Sequence, residues 1–219
     1  MKLSVITFAS FAASLSVSFA ANAGMVNVYV DSASGVGSGT SYGAAYQGTI
    51  AWSYTSGSTA TIAVNLTNTS SVVSYLFAFV VGMQDSSFVV TQTSAPSQFS
   101  QLTGNGLKAT PFGDFDWGSS ATGSFNGGGG GNVGLAQGAS GSWTFSVSGA
   151  AASLAAVNSA SVFNGANQWD FVAHLKGITS GSGTVSEKLT SNLMGAAMPG
   201  PGALALLALA GVMTRRRRA

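Results

Sequence analysis

Apolar residues recur at every second position in several short runs of this chain. Across Thr61 to Thr67, Ile62, Val64 and Leu66 alternate with small or polar neighbours, the period of a strand with one buried face. Ser142 to Ser148 repeats the pattern with Trp143, Phe145 and Val147. Ile50 to Tyr54 and Trp169 to Leu175 show it again, and Met25 to Val30 and Phe88 to Thr91 add shorter strands. Val72 to Val81 is apolar at odd and even positions alike, as a central strand covered on both faces would be. Gly, Ser, Asn and Thr clusters separate these runs and suit turns. Ala150 to Val157 is alanine-rich and predicts a helical turn or two. No longer amphipathic helix is expected, so residues 24–192 read as an all-β domain, an antiparallel β-sandwich.

The two ends break this pattern. Lys2, the uncharged stretch Leu3 to Phe19 and the small-x-small triplet Ala21-Asn22-Ala23 form the three parts of a secretory signal peptide over residues 1–23, cut ahead of Gly24. At the other end, Pro199-Gly200-Pro201-Gly202 precedes the apolar run Ala203 to Met213 and four arginines, Arg215, Arg216, Arg217 and Arg218. Eleven apolar residues make a helix of about 16 Å, too short for a ~30 Å hydrocarbon core. Counted from Leu193 the uncharged stretch reaches about 33 Å, which suffices. Residues 193–219 are thus expected to enter the membrane, the arginines staying cytoplasmic by the positive-inside rule. The signal peptide sends residues 24–192 to the same outer side.

Composition changes the picture in two ways. Only 6% of the 219 residues are charged, and the formal net charge is +2. Removing Lys2 and the four arginines leaves Lys108, Lys176 and Lys188 against Asp31, Asp85, Asp114, Asp116, Asp170 and Glu187, a net charge of −3. A mildly acidic domain has no basic patch for phosphates, which argues against nucleic acid as a partner. The chain has no cysteine, which excludes disulfides, thiolate metal sites and a cysteine nucleophile.

The Pro-containing motif, apolar helix and arginine cluster over residues 198–219 resemble the PEP-CTERM sorting signal. Gly200 stands where the family's glutamate usually is, so the motif is closer to Pro-x-Pro-Gly variants. The resemblance implies cleavage by exosortase, a membrane protease, in a Gram-negative-type bacterium. Residues 60–190 also resemble the sandwich domains such proteins carry, through Leu66-Thr67-Asn68-Thr69-Ser70, Trp169 to Gly177 and Glu187-Lys188. That resemblance implies a fold and no catalytic residues or cofactor.

Candidate chemistry in the middle of the chain is sparse. His174 is the only histidine. Alternation places it with Asp170, Val172 and Lys176, opposite the apolar face, and so on the solvent side; no nucleophile elbow accompanies it. Asp114 and Asp116 are the densest acidic pair, and two carboxylates sharing a strand face are the one candidate for calcium, which wants six to eight oxygens. Their neighbours Phe115 and Trp117 are expected in the core, which leaves both aspartates in water. Gly127 to Gly131 reads as a flexible surface loop. Of Trp52, Trp117, Trp143 and Trp169, three alternate in phase with core positions. Asn65 and Asn68 fit glycosylation triplets.

The expected protein is therefore exported, held transiently in the inner membrane, and then placed at the cell surface or in the extracellular matrix. Signal peptidase and exosortase are its processing partners, and exopolysaccharide or other surface components its lasting ones. It is expected to be a structural or interaction protein without catalysis; a carbohydrate-binding module and, behind it, a secreted hydrolase are the alternatives.

Overall fold

A computed structural model describes residues 25–32, 37, 40–102, 107–126, 131–158, 160–163, 170–180, 183–191 and 194–196. The signal-peptide residues Ala21, Ala23 and Gly24, Trp169, the motif Pro199 to Gly202 and the arginines Arg215 to Arg218 lie outside the described residues, as does all of Gly127 to Gly131 except its last glycine.

Two antiparallel sheets face each other. The first joins Met25–Asp31 (β1), Tyr46–Ser53 (β2), Thr59–Asn68 (β3), Val89–Ser94 (β5), Ser140–Ser148 (β11) and Met194–Ala196 (β14), in the order β14-β1-β2-β3-β11-β5. The second joins Tyr75–Val81 (β4), Ser100–Gln101 (β6), Trp117–Ser120 (β9), Phe171–Ser180 (β12) and Gly183–Ser191 (β13), in the order β13-β12-β4-β9-β6, with Leu135–Ala136 (β10) also on β4. Leu107–Lys108 (β7) and Asp114–Phe115 (β8) pair separately. Ala151–Ala156 (α1) is one short helix that buries Leu154, and Ala160–Phe163 forms a 3-10 turn.

Alternation explains the layer between the sheets. Ile62, Val64 and Leu66 of β3 and Trp143, Phe145 and Val147 of β11 are buried there, opposite Phe79, Val81, Phe171, Ala173 and Leu175 of the second sheet. Two antiparallel sheets packed over one apolar layer form a sandwich-like arrangement.

A second apolar layer lies on the outer face of the second sheet. Phe77, Ala78 and Val80 of β4 and Val172 of β12 are covered by Leu102, Leu107, Ala109, Phe112, Phe115 and Phe125. β4 is thus apolar on both faces because both faces are covered, as its sequence requires.

Two polar devices secure the rims. Asn68 donates Nδ2 to the carbonyls of Ser74 (3.0 Å) and Leu135 (3.0 Å), and its Oδ1 accepts from Ser70 N (3.2 Å) and Ser70 Oγ (2.7 Å). It is fully buried, so these bonds tie three chain segments where water cannot replace them. Asn68→Ala is expected to cost about 2 kcal/mol in urea unfolding, since it strands two buried carbonyls; a change below about 0.5 kcal/mol would contradict this role. At the β5 edge, Gln101 acts as a substitute strand. Its Oε1 accepts from Gln92 N (2.7 Å) and its Nε2 donates to Val90 O (2.6 Å), occupying edge groups that would otherwise invite another chain.

Candidate functional site

His174 belongs to the covered outer face and not to solvent. It is 3% exposed, which corrects the sequence expectation. The alternation along β12 is as expected; what the strand pattern does not contain is the cover that Leu102 and residues 107–126 lay over that face. Ser120 Oγ donates to Ser124 O (2.8 Å) and accepts from Thr122 N (3.1 Å), folding the turn that presents Phe125. Phe125 O then accepts from His174 Nδ1 at 2.7 Å. The imidazole lies between the rings of Phe77 (centroids 5.6 Å apart) and Phe125 (5.4 Å).

Two lysines border it. Lys188, level with His174 across the β12–β13 pair, donates Nζ to Thr110 O and Asn126 Oδ1, both at 2.7 Å. Lys176 Nζ stands 3.6 Å from the centre of the Phe77 ring, a cation–π distance. Burial lowers both ammonium pKa values, that of Lys176 with help from Lys188. Burial above all, then the two lysine charges, pulls His174 down to about 4 against the opposing pull of Phe125 O. The imidazole is therefore neutral at ordinary pH and holds Nδ1–H on the carbonyl. Its Nε2, which carries the free lone pair, is buried with no hydrogen-bond partner among the described residues, so it is burial and not the Nδ1–H bond that keeps this base from solvent.

The aspartate pair divides its work. Asp114 and Asp116 are exposed while Phe115 and Trp117 are buried, as expected from the sequence. Asp114 stands level with Lys108 in the β7–β8 pair. Asp116 Oδ2 accepts from Met83 N at 2.6 Å, pinning the chain after β4. Among the described residues no three His, Asp or Glu side chains are grouped to share a metal.

Of the tryptophans, Trp52, Trp117 and Trp143 are fully buried and offer no surface for a sugar ring. Asn68 is buried too, while Asn65 is exposed and accepts from Ser142 Oγ.

A further group of polar side chains lies between the segment after β4 and α1. The segment after β4 and the segment from α1 to the 3-10 turn are joined by Gln84 N donating to Val162 O at 3.0 Å. Between them opens a cleft of about 300 Å³ bordered by Gln84, Asp85, Phe88, Ser153, Val157 and Asn158. Phe88 rests on the buried Trp52, with ring centroids 5.8 Å apart. No sequence motif marks this cleft, because its walls lie some seventy positions apart in the chain.

The two ends of the domain meet on this side. Asn27, Val28 and Tyr29 of β1 pair antiparallel with Ala196, Gly195 and Met194 of β14, and the 3-10 turn that borders the cleft contacts both strands. Among the described residues no helix is long and apolar enough to cross a membrane. The chain matches no family model, no curated protein and no solved structure.

Proposed function

We propose that this is an exported, non-catalytic structural or interaction protein of the bacterial surface or extracellular matrix. Signal peptidase removes residues 1–23, the C-terminal segment holds the chain transiently in the inner membrane, and an exosortase cuts near Pro199 to Gly202. The folded part is then released or retained by exopolysaccharide.

The observation that carries the reading is the pairing of β1 with β14. β1 begins one residue after Gly24, the first residue expected after signal-peptide removal, and β14 ends three residues before Pro199. The strands are antiparallel, so the chain enters through β1 and leaves through β14 on one side of the fold. That arrangement suits a domain whose two ends are both handled at one membrane during export, although neighbouring termini are common in domains generally. β14 also sharpens the account of the tail. With Met194–Ala196 held in the sheet, the uncharged stretch left for a span runs over residues 197–213, about 25 Å as a helix and near the lower limit of ~17 residues. The burial of His174 and the separate positions of Asp114 and Asp116 fit the non-catalytic reading.

Intact-mass measurement of surface or medium protein tests this. The expected species starts at Gly24 and lacks Arg215 to Arg218. The double variant Pro199→Ala/Pro201→Ala is expected to accumulate as a membrane-bound precursor, at several times the wild-type level. Surface material that retains all four arginines overturns the proposal.

A further inference from the structure

The cleft between the segment after β4 and α1 has a lining of distinctive chemistry. Its volume of about 300 Å³ is at the small end of the ~300–1,000 Å³ that small-molecule sites span, room for one ring and not for a chain of them. Among the described residues Phe88 is its one aromatic wall. The ring is half-buried, braced from behind by Trp52, and so presents a fixed apolar face.

Around that face stand groups that accept and donate without positive charge. Asp85 Oδ1 accepts from Ser87 N at 2.9 Å, which orients the carboxylate at the cleft's border; each carboxylate oxygen can accept more than one hydrogen bond. Side-chain and backbone bonds from Ser87 hold its pKa below the ordinary value, so it is an acceptor throughout the neutral range. Gln84 and Asn158 are exposed and Ser153 is half-exposed; an amide offers two donors and an acceptor at once. Among the described residues neither Lys nor Arg lines the cleft. A phosphate or uronate would meet Asp85 with no cation to offset it. An apolar ligand would strip water from the carboxylate and amides without replacing their hydrogen bonds. A pyranose satisfies both parts of the lining, its C–H face on Phe88 and its hydroxyls on the amide and carboxylate groups.

We infer that this cleft binds a single neutral sugar residue, as a terminal or branch unit of a surface polysaccharide, through the Phe88 face and the polar side chains of Asp85, Gln84, Ser153 and Asn158. The choice of polymer rests on the surface-protein reading above, whereas the binding itself needs neither export nor cleavage. The two can therefore fail separately. One ring against one aromatic wall gives weak individual binding, and useful retention comes from many branch units meeting many copies of the domain.

The test is ligand-detected NMR titration of the full chain in a zwitterionic detergent. Glucose, galactose, mannose and N-acetylglucosamine are set against glucuronate. The expected result is saturable millimolar binding of at least one neutral sugar, with glucuronate at least tenfold weaker. Phe88→Ala should weaken binding about tenfold. Because Phe88 also packs on Trp52, Asn158→Ala and Ser153→Ala serve as surface variants, each expected to weaken binding severalfold with unchanged near-UV circular dichroism. Absence of saturable binding to every neutral sugar overturns the inference. So does glucuronate binding as tightly as the best neutral sugar, or binding indifferent to both surface variants.

Discussion

Phe79→Ala is expected to lower the unfolding free energy by about 4 kcal/mol, the largest effect of any single truncation proposed for this chain. Phe79 lies on β4 and has no exposed surface. Its ring meets Trp143 edge-on at 5.1 Å and Trp117 at 6.3 Å, stacks on Phe171 at 5.8 Å, and meets Phe145 at 6.4 Å. Trp143 and Phe145 belong to the first sheet and Trp117 and Phe171 to the second, so one side chain joins the two. Truncation removes the transfer energy of a benzyl group and leaves a cavity that four large, rigid rings cannot easily close. It also removes edge-to-face contacts worth ~0.5–1.5 kcal/mol beyond burial. Phe79→Leu keeps most of the volume and should cost about 1.5 kcal/mol. Val73→Ala, at a position 60% exposed, should change stability by less than about 0.5 kcal/mol. Urea unfolding of the three variants checks the order. A loss below about 1 kcal/mol for Phe79→Ala would mean that the layer between the sheets is looser than described.

How far the sequence discloses this structure depends on the range of the interactions involved. The alternation in β3 and β11 is a property of seven consecutive residues, and the buried sets Ile62, Val64, Leu66 and Trp143, Phe145, Val147 follow from it directly. The two-sided burial of β4 is readable for the same reason: seven residues with no polar face demand cover on both sides. What supplies the outer cover is not readable. Leu102, Leu107, Ala109, Phe112, Phe115 and Phe125 are spaced without period, on strands of only two residues or on turns, so no local pattern announces that they act together. The position of His174 inherits that gap. Its face was derivable and its environment was not, because the environment comes from another part of the chain. β14 is hidden differently. Met194-Gly195-Ala196 shows no alternation and merges into the apolar tail, and only its pairing with β1 separates strand from tail. The cleft beside α1 is invisible for the plainest reason. Phe88 reads as the start of a strand and Ser153 as part of an alanine-rich turn, and nothing in either stretch refers to the other.

Lowering the pH from 7 to 4 is expected to remove about 3 kcal/mol of stability through His174 alone. The folded imidazole titrates at about 4, against 6.5 when exposed. Above pH 6.5 neither state binds the proton and the contribution is complete. As pH falls from 6.5 towards 4 the unfolded chain takes up a proton that the folded chain refuses, so stability falls continuously, and below 4 both states are charged and the loss stops. The cause is local. Protonation would place a cation under Phe125 and Phe77, beside the charges of Lys176 and Lys188, with Nδ1–H already committed to Phe125 O. Carboxylates titrate in the lower part of the same range, so the comparison that isolates the imidazole is His174→Asn. The variant's amide nitrogen can take the place of Nδ1 without titrating. Urea unfolding at fixed ionic strength should show the wild type losing about 3 kcal/mol more than the variant between pH 7 and 4. Parallel pH profiles for the two proteins would mean that residues 107–126 do not shield this ring from water, and the enclosed outer face would have to be abandoned with it.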